Sequence, residues 1–106
     1  MKATLLFKEK FSLELLTGEN IVVYMDLYRL PEYDKKVFVQ GYKFSWIAFN
    51  PTNPEQNVLF DCHPSKGPHK HIDNGEDMPL QFSDIDDLYE QFFLEISKRF
   101  GELQGA

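Results

Sequence analysis

Ala3-Thr4-Leu5-Leu6-Phe7-Lys8-Glu9-Lys10-Phe11-Ser12-Leu13-Glu14-Leu15 is the stretch that decides the fold class. Ala3, Leu5, Phe7, Phe11, Leu13 and Leu15 share one parity, and Thr4, Lys8, Lys10, Ser12 and Glu14 share the other. Successive side chains of a strand point to opposite faces, so this alternation predicts an antiparallel strand with one buried and one wet face. Leu6 and Glu9 interrupt the pattern and predict a bulge or a break in pairing near them.

Working outward, Thr17-Gly18-Glu19-Asn20 supplies turn chemistry, and Ile21 to Leu30 is rich in β-branched and aromatic residues. The two runs read as a hairpin. Pro31 ends the second run, because it lacks an N–H and restricts the backbone. A third strand is expected at Val37 to Phe49 and a fourth at Asn57 to His63, separated by Pro51-Thr52-Asn53-Pro54. If that turn centres near Asn53, cross-strand partners sum to about 106. Phe44 then faces Cys62 and Trp46 faces Phe60 on an apolar side, while Lys43 faces His63 and Ser45 faces Asp61 on the other.

Residues 64 to 82 contain three prolines and two glycines and read as mostly irregular. Ser83 is the expected helix cap, and Ile85, Leu88, Tyr89, Phe92, Phe93, Ile96, Phe100 and Leu103 recur with the helical period. Asp84, Asp86 and Asp87 at the start, and Lys98 and Arg99 near the end, complement the helix dipole, with Gly101 as the stop. The expected architecture is α+β: a four-stranded, mainly antiparallel sheet with one long C-terminal helix on its apolar face, all in a single domain over residues 1–106.

Composition bounds the function. The 106 residues are 42% hydrophobic and 15% aromatic, enough to fill one core. The single Cys62 excludes an intramolecular disulfide and reads as a small core residue. No apolar run approaches the roughly 20 residues of a membrane span, and no signal-peptide core is present, so a cytoplasmic protein is expected. A formal net charge of −6 opposes non-specific binding along duplex nucleic acid. Phosphate-cradling glycine loops, nucleophile elbows and zincin motifs are missing.

Against this acidic background, all 3 histidines and two lysines lie in Asp61-Cys62-His63-Pro64-Ser65-Lys66-Gly67-Pro68-His69-Lys70-His71-Ile72-Asp73. In an extended segment His69 and His71 point one way and Lys70 the other. Two imidazoles on one side can act as general acid and base in phosphodiester cleavage, since each titrates near neutrality. Lys66, Lys70 or Lys43 could steady the phosphate charge, and Asp61 could orient an imidazole. Such a ribonuclease needs no metal and no cofactor. The same residues permit a divalent-metal site in a metal-dependent hydrolase, built on His69 and His71 with His63, Asp61 or Asp73. They also permit a plain polar loop on a non-catalytic module that binds a partner protein or forms a homodimer through a sheet edge or the acidic helix.

Gly41-Tyr42-Lys43-Phe44-Ser45, Phe60-Asp61 and Gly67-Pro68-His69-Lys70-His71-Ile72, taken in order with an amphipathic C-terminal helix, resemble the TumE-like family of small toxins from toxin–antitoxin pairs. The resemblance implies a toxin role and a cognate DNA-binding antitoxin as partner. It places any activity on Tyr42, Ser45, Asp61, His69 and His71. Many members carry further histidines before the His-Lys-His element, where this chain has Ser65-Lys66-Gly67-Pro68. The residues proposed for the site are therefore His69, His71, Asp61 and Lys70 for chemistry, and Lys43, Ser45, Lys66, Tyr42 and His63 for substrate binding.

Overall fold

Alternation along the chain becomes a meander. The computed structural model describes residues 3–31, 41–63 and 67–105. Among these, six strands pair antiparallel in chain order: β1 (Thr4–Glu14), β2 (Asn20–Arg29), β3 (Tyr42–Asn50), β4 (Asn53–His63), β5 (Gly67–Ile72) and β6 (Met78–Pro79), followed by helix α1 (Ile85–Phe100). The α+β class matches expectation, but the sheet has six strands where four were expected. The expected start of the third strand at Val37 lies outside the described residues.

The two unexpected strands come from the segment read as irregular. Pro68 suggested a break, yet the Leu80 N–H donates to the Pro68 carbonyl at 3.0 Å. A strand residue's N–H and C=O point to the same neighbour, so the donor that Pro68 lacks would have faced β6. The β4–β5 ladder is left whole, from Val58–Ile72 to His63–Gly67. β6 is two residues long and contains Pro79, which suits an edge.

The register of the central hairpin is as expected: Ser45–Asp61, Trp46–Phe60 and Ile47–Leu59 keep the sum inferred from the turn. Phe44, Trp46, Ala48, Val58, Phe60 and Cys62 are all buried on one face. The expected break in β1 is a register shift between Leu5 and Phe7. One extra residue reverses parity, so Leu5 pairs with Tyr28 on the opposite face and is 51% exposed instead of joining the core.

α1 lays Leu88, Phe92 and Ile96 on that buried face. The Phe92 ring meets Phe60 edge-on at 5.1 Å and Trp46 at 5.6 Å, and Phe93 stacks on Phe11 at 6.5 Å. The helix cap is Asp84 and not Ser83: the Asp84 carboxylate accepts the Asp87 N–H at 2.7 Å. At the far end the Gly101 N–H returns to the Ser97 carbonyl. Leu103 leaves the helical stripe and bridges to Leu15, tying the chain end to the first hairpin. No helix among the described residues is long and apolar enough to cross a membrane.

Truncating Phe92 to Ala removes a fully buried ring at the contact between helix and sheet. It should lower unfolding free energy by about 3–5 kcal/mol in urea denaturation, whereas Asp84→Ala, which removes only the cap, should cost about 1 kcal/mol.

Candidate functional site on the open sheet face

Directly opposed residues in an antiparallel sheet share a face, so the strand pairings define rows across it. One row on the face away from α1 runs Lys8–Asp26–Ser45–Asp61–His69–Pro79, through all six strands. Beside it runs Lys10–Tyr24–Ile47–Leu59–His71. Ser45, Asp61, His69 and His71 are therefore brought together as expected. A cleft of about 520 Å³ opens on this face, lined by residues that include Asp26, Tyr28, Lys43, Ser45 and Asp61.

Other expected members are elsewhere. Lys70 pairs with Phe60 and so lies on the helix side, where its Nζ meets Glu95 Oε1 at 2.9 Å. Tyr42 also lies on that side: its hydroxyl accepts from Arg29, and its ring lies 6.1 Å from that of Phe82. Neither reaches the histidines' face. Asp73, a candidate ligand, is held by Arg99, whose Nε lies 2.8 and 2.9 Å from its two carboxylate oxygens. That guanidinium keeps the Asp73 carboxyl below the usual carboxylate range, against a smaller opposing effect of burial. Lys66 and the side chain of His63 lie outside the described residues.

The two imidazoles are tightly placed. His69 is buried, at 5% exposure, and its Nδ1 lies 3.0 Å from the Gly67 carbonyl. His71 Nδ1 lies 2.8 Å from the Gly75 carbonyl. A carbonyl can only accept, so each ring donates through Nδ1, which leaves Nε2 of His69 and Nε2 of His71 as the nitrogens for other contacts. The rings meet edge to face with centroids 5.0 Å apart. His71 Nε2 lies 2.7 Å from Asp77 Oδ1. Asp77 reaches it because Asp73 and Asn74 adopt left-handed backbone, with φ of 53° and 58°, and turn the chain back.

Asp26, like Asp77, is a member of the group that the sequence alone does not reveal. Its Oδ1 accepts the Ser45 N–H at 2.9 Å. Burial raises its pKa above the ordinary carboxyl value and the Asp61 charge adds to that, while the Ser45 hydrogen bond, Lys8 and Lys43 act the other way. Asp61 binds locally, accepting the Cys62 N–H at 2.9 Å. Cys62 itself is buried in the core, as expected. An acceptor on the polar parity of β2 carries no sequence signal by itself. Only the β2–β3 register, which no short turn dictates, exposes the grouping.

No family model, curated protein or solved structure matches the chain. Fold and site together define a small α+β protein with one sheet face covered by a helix and the other carrying a histidine–carboxylate row.

The raised pKa of Asp26 gives a testable sign. The folded state binds the Asp26 proton more tightly than the unfolded state, so ionised Asp26 lowers stability near neutrality. That penalty disappears as pH falls through the folded-state pKa toward the ordinary value of about 3.9. Asp26→Asn, which keeps an oxygen acceptor for Ser45, should raise the urea midpoint at pH 7, and the advantage over wild type should shrink on acidification. A midpoint lowered by the substitution at pH 7 would contradict this.

Proposed function

We propose that this is a cytoplasmic toxin-type protein that cleaves RNA on its open sheet face, using His69 and His71. The observation that supports the reading best is the pair of imidazoles in contact at 5.0 Å, each with Nδ1 anchored to a backbone carbonyl, beside a cleft lined by Lys43, Ser45 and Asp61. With Nδ1 anchored, His69 accepts the 2′-hydroxyl proton through Nε2, and His71 supplies a proton to the leaving oxygen from the Nε2–H that faces Asp77, a contact the substrate must displace. The rings are too close to hold a phosphate between them, so the phosphodiester lies across the pair. Lys43 takes the phosphate-steadying role that was expected of Lys70, since Lys70 is on the far face and bound to Glu95. The Gly75 carbonyl orients His71 through Nδ1, while Asp77 faces its reactive Nε2, so Asp61 does not take the orienting part.

Expressed without its antitoxin, the wild type should arrest growth and degrade RNA. The His69→Ala/His71→Ala variant should lose about 100-fold or more of the cleavage rate. Lys43→Ala, at an exposed position, should reduce the rate while leaving stability unchanged. Equal cleavage by wild type and double variant would overturn the reading.

A second observation supports a partner surface. β1 is an 11-residue edge strand carrying Leu5 and Leu6, which are 51% and 45% exposed. A long edge with apolar side chains invites strand addition, and in this reading the occupant is the DNA-binding antitoxin. Leu5→Lys/Leu6→Lys should abolish co-purification with the product of the neighbouring gene and leave cleavage intact. Loss of a homodimer in its place would assign the edge to self-association.

A further inference from the structure

We propose that His69, His71 and Asp77 form a binding site for a divalent transition-metal ion of the zinc class. Three features converge. Their ligating atoms all lie within 4.8 Å of one another. Both Nδ1 atoms face backbone carbonyls, so both Nε2 lone pairs are the ones available to an ion. This is the arrangement in which a ligating imidazole is oriented by a hydrogen bond from its other nitrogen. Finally, His71 Nε2 and Asp77 Oδ1 are acceptors held 2.7 Å apart, and such a pair needs a proton or a cation between them.

The dimensions suit a small ion. Bonds of about 2.0–2.2 Å at tetrahedral angles require ligand atoms about 3.3–3.6 Å apart. The His71–Asp77 pair must open from 2.7 Å toward that spacing, and separations of up to 4.8 Å must close toward it as an ion binds. Local charge favours a cation: Asp77 contributes one negative charge, and Asp61 lies opposite His69. The lysine between the histidines does not oppose it, because Lys70 projects to the other face and is neutralised by Glu95. Two imidazoles and one carboxylate leave a fourth position open, the pattern of an exchangeable site and not of a closed structural one.

The proposal extends the histidine reading without depending on it. An ion held by both Nε2 atoms withdraws them from proton transfer, so metal-bound and acid–base forms are mutually exclusive states of one cluster.

The test is titration of the purified full chain with zinc chloride by isothermal calorimetry near neutral pH. One ion per chain should bind with micromolar or tighter affinity. His71→Ala and Asp77→Asn should each weaken binding by about 100-fold or more, beyond the range that loss of an outer-shell partner gives, while Lys70→Ala should not change it. Because His69→Ala removes a buried ring, the decision rests on the other two variants, with folding checked by circular dichroism. Absence of zinc binding by wild type, or binding by Asp77→Asn as tight as wild type, would overturn the proposal. Either result leaves RNA cleavage, measured in metal-free buffer, to stand or fall on its own.

Discussion

The pairing of β4 with β5 is the constraint on which the candidate site depends. It sets Asp61 against His69 and Phe60 against Lys70, and a period of two does the rest. A slip of one residue would move both histidines under the helix and bring Lys70 to the open face. Three interactions hold the register. The Asp73 N–H donates to the Asn57 carbonyl, the Asp73 carboxylate accepts from the Asn57 N–H, and Lys70 is clamped by Glu95 of α1. The helix therefore positions the histidines indirectly, by fixing the residue between them.

The two faces of the sheet serve different purposes. One carries the aromatic core that Phe92 joins to Trp46 and Phe60, which supplies the burial a fold of this size needs. The other carries charge in rows. Carboxylates and imidazoles on that face each have a local backbone partner: Asp26 the Ser45 N–H, Asp61 the Cys62 N–H, and each histidine a carbonyl. Such pre-formed hydrogen bonds hold a site's geometry before any ligand arrives.

Much of this was legible in the chain. The central hairpin register followed from Asn53 and the parity of Phe44, Trp46, Phe60 and Cys62, because a short turn links strand position to sequence number. The helix followed from a long apolar period, although Asp84 and not Ser83 caps it. β5 was hidden because Gly67 and Pro68 open it and His69-Lys70-His71 lacks apolar alternation. Pro68 is tolerated only because its missing donor faces β6. Parity places Lys70 opposite the histidines, but nothing in the sequence marks Glu95, 25 residues away, as the counter-charge that removes it from the chemistry. Asp77 was missed for a related reason: only the left-handed turn at Asp73 and Asn74 brings it back to His71.

The central claim is that the fifth strand holds two histidines in one defined orientation, each donating through Nδ1. A long-range proton–nitrogen correlation spectrum of the imidazole side chains tests this directly, because it distinguishes protonated from unprotonated ring nitrogens. The account predicts a protonated Nδ1 in both His69 and His71. Rings with Nε2 as the sole protonated nitrogen, or averaging between tautomers as free imidazole does, would contradict it.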